Sequence, residues 1–335
     1  STVSSRGVYK LPAEKRFGAV DSDHHCSAYD LDACSWSNVP DIDFALADDY
    51  GWTMGQFVWT GFDYLGEPSP YDTDSWPNHS SMFGIIDLAS IPKDRFYLYR
   101  SVWNRTEPTL HVLPHWNWKG HEGEQVPVYV YTSWPEAELF VNGVSYGRMR
   151  KDPSPVSDGY VPADTARMAK GFQDENHEGR YRLMWNDVVY QPGELRVVAY
   201  DNCGKEVGEK VVKTAGKPHH LEISAGLGFI GKDEIPVLKA DGKDLAYFTV
   251  KVVDKDGNLC PSDSRLVEFD VCGAASYRAA ANGDPTCLDI FHEPRMHAFS
   301  GMLTVIVQAG EKDGEAVLTV SAKGLKPARV AVKVE

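Results

Sequence analysis

The sequence predicts a multi-domain protein in which a mixed α/β segment precedes two all-β sandwiches. Three observations support this architecture. Residues 1–117 alternate helix-type and strand-type apolar patterns, which is typical of βα units. From about residue 118 the apolar period changes to two, as expected of strands with one buried face. From about residue 217 short strands recur between Gly, Asp and Asn residues, a pattern typical of a second sandwich. We therefore expect domains at 1–117, 118–216 and 217–335.

Composition excludes several classes of protein. The net charge of the 335 residues is −14 and no Lys/Arg cluster stands out, so no nucleic-acid partner is expected. The longest apolar runs have the length of strands, which argues against a membrane span. None of the six cysteines has CxxC spacing, so neither a zinc site nor another metal or cofactor is predicted. We favour free thiols. A disulfide between Cys26 and Cys34, or among Cys260, Cys272 and Cys287, is the alternative in an oxidising compartment.

The first segment follows the order helix, strand, long loop, helix. Residues 39–50 form an amphipathic pattern with Asp41 as the expected N-cap. Residues 56–64 are almost continuously apolar, which predicts a strand buried on both faces in a parallel sheet. After a long irregular loop, residues 92–104 begin with proline and predict a second helix. Its apolar residues at helical spacing are Phe96, Tyr99 and Trp103.

The rest of the chain carries hairpin signals. Asn142-Gly143 between two alternating segments is the strongest short-range signal for a two-residue hairpin. Residues 215–220 are the expected linker between the sandwiches. The segment GLGFIG at 226–231 matches a dinucleotide-binding pattern, but Pro236 breaks any helix that would follow, so we expect no nucleotide site. The segment DKDGN at 254–258 resembles half a calcium loop and is interpreted as a turn.

Candidate chemistry lies at the end of the predicted buried strand. Trp59 and Tyr64 alternate there with the carboxylates Asp63 and Glu67, and Trp76 lies in the following loop. In a (β/α)₈ barrel, the carboxyl ends of the strands form the active site. Aromatic planes stack on the C–H faces of a pyranose, and carboxylates bind its hydroxyls. Trp59 is a candidate for such a pocket. The hydrophobic side chains expected in the core are Phe57, Val58 and Phe62.

Four separated blocks carry a family resemblance. They are SSRGVY, GQFVWTGFDYLGEP, SMFGIIDLASIPKDRFYLYRSVW and NGDPTCLDIFHEPRMHAFSGMLTVIV. Together, and in this order, they resemble the C-terminal half of a multi-domain bacterial β-galactosidase of glycoside hydrolase family 2. The likeness covers nearly the whole chain. It implies a (β/α)₈ TIM barrel, flanking immunoglobulin-like β-sandwiches and a retaining mechanism on two glutamates.

The resemblance also assigns roles. Residues 56–64 resemble the eighth barrel strand and 92–104 the eighth helix, so 1–117 would be the end of a TIM barrel that needs about 250 residues. The nucleophile is expected just before Ser1, and no catalytic residue is expected in this chain. Asp63 and Glu67 do not match the catalytic positions and are expected to shape the substrate pocket or brace its loop. Trp59 matches a sugar-binding tryptophan that often precedes a cis peptide bond.

The implied function is part of an exo-acting β-galactosidase, with terminal β-galactosides or oligosaccharides as substrates. The chain should be inactive without the missing N-terminal part of the enzyme, and its implied location is periplasmic or secreted. A homo-oligomer is compatible with the sequence. Two alternatives remain: a β-glucuronidase or β-mannosidase of the same family, and a non-catalytic carbohydrate-binding or adhesion protein. The second alternative is based on residues 217–335, which also resemble bacterial immunoglobulin-like adhesion repeats.

Overall fold

A computed structural model gives the fold, which is rich in β-strands. It describes residues 4–10, 16–17, 24–33, 38–68, 76–153, 178–227, 230–231 and 235–335. No helix in these ranges is long and apolar enough to cross a membrane. Cysteines 203, 260, 272 and 287 are free thiols, so the disulfides considered among the last three are absent. The proposed partner of Cys26, Cys34, lies outside the described ranges.

Both predicted helices of the first segment are present. Helix α1 spans Pro40–Asp49 and helix α2 spans Asp94–Trp103. Two short strands, β1 (Arg16–Phe17) and β2 (Asp32–Ala33), pair in parallel.

The role predicted for Asp41 is wrong. Val39 is the N-cap of α1, and its side chain makes no capping hydrogen bond. Pro40 begins the helix with a φ that suits helical geometry and without a backbone N–H that would need a partner. Asp41 lies inside the helix. It is fully buried and accepts a hydrogen bond from Arg182 Nε at 2.9 Å, so it ties the helix to the neighbouring sandwich.

The strand predicted at 56–64 is not formed. Among the described residues, this segment makes a single isolated bridge, from Phe62 to Ile86. Phe57 is fully exposed and Phe62 is about half exposed, so the expectation that they belong to the core is also wrong, whereas Val58 packs on the core. A strand apolar on both faces needs neighbours on both sides. The described residues supply one neighbour, the segment 83–86, to which Thr60 and Asp63 bond through the backbone.

The first sandwich consists of two sheets. One contains β3 (Leu110–Leu113), β4 (Val128–Thr132) and β7 (Arg182–Trp185), in that order. The other, in the order β6-β5-β8-β9, contains β5 (Glu136–Val141), β6 (Val144–Arg150), β8 (Glu194–Tyr200) and β9 (Glu206–Lys213). A short helix, α3 (Glu178–Tyr181), precedes β7.

The two sheets of the first sandwich share one core. Val130 and Trp185 of one sheet pack with Leu139 and Val197 of the other. The hairpin predicted at Asn142-Gly143 joins β5 to β6, and both residues have the positive φ that a type I′ turn requires.

The second sandwich is built in the same way from two five-stranded sheets, ordered β11-β10-β13-β17-β15 and β12-β19-β18-β14-β16. All pairings are antiparallel except that of β12 with β19. The strands are β10 (His220–Leu227), β11 (Ile230–Gly231), β12 (Val237–Leu238), β13 (Leu245–Val253), β14 (Leu266–Gly273), β15 (Ala275–Ala281), β16 (Arg295–His297), β17 (Met302–Ala309), β18 (Gly314–Ala322) and β19 (Ala328–Val334).

Two sequence motifs that resemble ligand sites lie in this sandwich as hairpin elements. Strands β10 and β11 pair with each other across the GLGFIG segment, so its described residues at both ends belong to strands. Asp254 accepts hydrogen bonds from the backbone N–H groups of Asp256 and Asn258, which closes the predicted turn.

Strand β4 connects the first segment to the sandwich that follows it. Every residue of β4 is buried, because one face lies in the sandwich core and the other faces the helices. On the outer face, Tyr129 and Tyr131 pack in one cluster with Tyr29, Phe44 and Leu98. The first segment therefore uses this sheet as part of its own core.

Candidate functional site

The predicted sugar-contacting residues form a small aromatic surface, which we define as Trp59, Tyr64 and Glu67. The Trp59 side chain is 61% exposed and meets the Tyr64 ring edge-on, with 6.4 Å between ring centroids. The Tyr64 hydroxyl donates to Glu67 Oε2 at 2.6 Å. Desolvation and this hydrogen bond raise the pKa of Tyr64. The peptide bond between Trp59 and Thr60 is cis, as predicted.

Asp63 lies on the opposite, interior side of the same segment. Its side chain is buried, with Oδ2 2.7 Å from Lys93 Nζ and Oδ1 accepting the backbone N–H of Gly84 at 2.8 Å. Burial raises the pKa of Asp63 to about 6, and the neighbouring Lys93 ammonium opposes that shift. With both oxygens engaged, Asp63 fixes the backbone that carries Trp59 and Tyr64.

Lys93 is the residue of this arrangement that sequence reasoning missed. Besides Asp63, its ammonium donates to the carbonyl oxygen of Ser4 at 2.7 Å. It therefore joins the SSRGVY segment to the segment of the aromatic surface. One signal was present in the sequence: residues 17–92 contain no Lys or Arg, so Lys93 is the cation nearest in sequence to Asp63 and Glu67.

The loop beyond Glu67 returns to this segment through the backbone. His79 O accepts from Gly66 N at 3.0 Å, and the buried Asn78 donates from Nδ2 to Pro68 O at 3.3 Å. Trp76, at the start of the described part of this return, is mostly exposed. The loop thus holds Glu67 at a fixed end of the segment, while Trp76 stays accessible.

Exposed apolar side chains occur on both sides of Trp59 in the sequence. A contiguous set of this kind marks an interaction face on a folded protein. This face includes the residues that the sequence placed inside a sheet. The large exposed side chains between residues 52 and 65, apart from Trp59, are Trp52, Met54, Phe57, Phe62 and Leu65.

The second sandwich contacts the same region through hydrogen bonds. Arg6 is buried, donates from Nε to Asp87 Oδ2 at 2.6 Å and from Nη2 to Asn282 O at 2.7 Å. Pro285 O accepts from His79 N at 3.0 Å. The NGDP turn of the second sandwich therefore contacts both the SSRGVY segment and the loop that follows Glu67.

No group of three or more His, Cys, Asp or Glu side chains within the described ranges is arranged to hold a metal ion. The aromatic surface itself offers an exposed indole, a phenol and a carboxylate on a braced backbone, which are groups that can bind a ligand.

Comparison with known proteins shows which family the chain resembles. The glycoside hydrolase family 2 C-terminal domain 5 matches residues 233–331, and a domain of unknown function, DUF4982, matches residues 123–208. Over its whole length the chain is 36% identical to Beta-galactosidase BoGH2A of Bacteroides ovatus. The chain resembles the C-terminal part of a glycoside hydrolase family 2 enzyme.

Other relatives are also glycosidases, but their names give different substrates. A putative beta-glucuronidase of Formosa agariphila is 31% identical over 71% of the chain, and the matched part is 20% of that protein's length. The crystal structure of a beta-glycosidase from Bacteroides vulgatus superposes with a TM-score of 0.78 at 27% identity, over 99% of this chain and 41% of that protein. The chain spans 36% of the length of the Bacteroides ovatus enzyme.

Proposed function

We propose that this chain is the C-terminal part of a retaining exo-β-galactosidase, and that residues 1–117 complete its TIM barrel. The observation that carries the proposal is the match to a β-galactosidase over the whole chain. The aromatic surface is consistent with it. An exposed indole next to a hydrogen-bonded phenol and carboxylate offers both a stacking plane and acceptors for sugar hydroxyls.

The charge of the segment favours a neutral sugar over a glucuronide. A glucuronide carries a carboxylate, which proteins bind with Arg or Lys. Residues 17–92 contain neither, whereas residues 51–92 contain five carboxylates. Lys93, the next cation in the sequence, is buried and paired with Asp63. The β-glucuronidase alternative, suggested by relatives with that name, would need its carboxylate-binding cation from another part of the enzyme.

We place the two catalytic glutamates of the retaining mechanism outside this chain. A retaining pair needs two carboxyl groups about 5–5.5 Å apart that both reach the glycosidic bond. Asp63 is buried and bonded to Lys93, and Glu67 accepts from Tyr64. The role proposed for Glu67 and Trp59 is to bind the sugar, and the role proposed for Asp63 is to hold them in place.

A substrate panel tests the specificity. The longest natural protein containing this chain is assayed with the 4-nitrophenyl β-D-galactoside, β-D-glucuronide and β-D-mannoside under identical conditions. We expect kcat/KM for the galactoside to exceed the other two by at least a hundredfold. Preference for the glucuronide would overturn the β-galactosidase proposal and leave the family unchanged.

The 335-residue chain assayed alone tests the placement of the catalytic pair. We expect no hydrolysis of the galactoside above background. Turnover that disappears in Glu67→Gln would show that the catalytic carboxylates had been assigned wrongly. Periplasmic or secreted localisation remains a prediction, which fractionation of the producing bacterium would test.

A further inference from the structure

A cavity of about 370 Å³ lies where the three parts of the chain meet. Ligand sites of this size occur preferentially at such domain junctions. The volume suits a molecule of about monosaccharide size. The first segment contributes Arg6, Tyr9 and Asp94 to the lining, the first sandwich His111 and His115, and the second sandwich Lys251 and Met302.

The carboxylate in the lining is already used. Asp94 is the only carboxylate among the lining residues that the structure describes. Its Oδ2 accepts from the Tyr9 hydroxyl at 2.7 Å, and its Oδ1 lies 2.6 Å from His111 Nε2. Asp94 therefore serves the packing of the cavity wall and offers no free oxygen to balance a second cation.

The two cations in the lining differ. Lys251 is half-buried and has no ion-pair partner in the described part of the chain. Glu222, which faces it across the β10–β13 ladder, lies 3.5 Å from His220 Nε2 instead. Arg6, in contrast, is paired with Asp87 through Nε and donates from Nη2 to Asn282 O. Lys251 is therefore the cation that a ligand in the cavity could use.

The remaining walls are apolar or neutral. Tyr97 stacks on His111 with 3.9 Å between ring centroids, and Ile91, Pro92 and Met302 complete the apolar lining. Burial lowers the pKa of His115 to about 4, so this imidazole is neutral at pH 7. The cavity thus combines one cation without an ion-pair partner, Lys251, with a wall whose carboxylate, Asp94, is bonded within the protein.

We propose that this cavity binds a small organic carboxylate of about monosaccharide size, with the carboxylate held by Lys251. A sugar acid fits this description. The aromatic and apolar walls would cover its ring, and the Lys251 ammonium would donate charge-assisted hydrogen bonds to its carboxylate.

Calorimetric titration tests the proposal. The 335-residue chain is titrated with D-galacturonate and, separately, with D-galactose, which has the same ring but no carboxylate. We expect galacturonate to bind with a stoichiometry of one and galactose to bind at least tenfold more weakly. Absence of galacturonate binding, or equal binding of galactose, would overturn the proposal.

Variants locate the site. Lys251→Met retains the aliphatic length and removes the charge, and it should weaken galacturonate binding at least tenfold. Lys251→Gln is a second variant that keeps a polar end, in case the first affects folding, which the melting temperature reports. Lys255→Met is the matched control, because Lys255 is an exposed lysine of the same sandwich paired with Asp256. Unchanged affinity in both Lys251 variants would refute the site.

Discussion

Lys93 and Asp63 form an interior ion pair, with 2.7 Å between Nζ and Oδ2 and almost no solvent exposure of either side chain. The pair joins the start of helix α2 to the backbone that carries Trp59 and Tyr64. Buried charges are tolerated only when they are paired. The geometry of the aromatic surface therefore depends on Lys93, which is not part of that surface.

The first prediction concerns the loss of one partner. Lys93→Met should destabilise the fold by about 3–5 kcal/mol, because it leaves the Asp63 carboxylate buried without its cation. The double variant Asp63→Asn/Lys93→Met should be less destabilised than Lys93→Met, since no uncompensated charge remains. Calorimetric melting of the three proteins measures this, with the exposed Lys255→Met as control. Equal melting temperatures for wild type and Lys93→Met would contradict the buried pair.

The second prediction concerns pH. The pKa of Asp63 is about 6 in the folded protein, against about 4 in an unfolded chain. The folded state therefore binds more protons between these values, so the contribution of Asp63 to stability is complete below about pH 4 and is lost as the pH rises through 6.

Melting curves from pH 4 to 8 check this behaviour. The reference is Asp63→Asn/Lys93→Met, which lacks both titrating groups. The difference in melting temperature, wild type minus this variant, should fall across this window and level off above about pH 7. A difference that rises with pH would show that attraction to Lys93 outweighs the cost of burial.

The third prediction concerns Trp59. In the longest protein containing the chain, Trp59→Ala should lower kcat/KM at least tenfold and leave the melting temperature within a few degrees, because the ring is 61% exposed. Trp116→Ala is the control. Trp116 is fully buried, so its truncation should cost about 3–5 kcal/mol of stability with kinetics unchanged per folded molecule. If Trp59→Ala behaved like Trp116→Ala, the sugar-binding role would be wrong.

The fourth prediction concerns the NGDP turn. Gly283 has φ +81°, and a Cβ there would lie 2.1 Å from Asp87 Oδ2, the oxygen that accepts from Arg6. Gly283→Ala should therefore strain the backbone and displace the Arg6–Asp87 pair, with the displacement costing about 1–3 kcal/mol beyond the backbone strain.

A matched control for this substitution exists in the same sandwich. Gly324 has φ +80°, but a Cβ at that position meets no atom within 4 Å. Gly324→Ala should show the backbone strain alone, about 1–2 kcal/mol. Melting temperatures of the two variants separate the strain from the steric clash, and equal shifts would mean that Asp87 moves aside at no cost.

Short-range patterns predicted much of this fold. The Asn142-Gly143 hairpin, helix α2 and the alternating strands of both sandwiches follow from residues within a few positions of one another. The segment 56–64 was mispredicted as a strand because its apolar run predicts burial but does not supply the neighbour that a strand must pair with. The family resemblance placed Trp59 at the site, and its exposed ring agrees with a surface role.

Long-range pairings could not be predicted in the same way. Asp41 sits where an N-cap would be expected, and only the fold brings Arg182 to it. Lys93 likewise reaches both Asp63 and Ser4 through the tertiary structure. A carboxylate near a helix start has the same sequence signature whether it caps the helix or forms a buried ion pair, so the choice depends on partners that are distant in the chain.

The seam between the second sandwich and the first segment is formed largely by main-chain acceptors. Asn282 O and Pro285 O accept on one side, and Ala89 O accepts from the Thr304 hydroxyl on the other. Every amino acid carries such a carbonyl, so the side chains at these acceptor positions can be substituted during evolution without removing the hydrogen bond. The seam should be robust to point substitution at its acceptors and fragile to insertion or deletion in the turn, which would shift the carbonyls out of register.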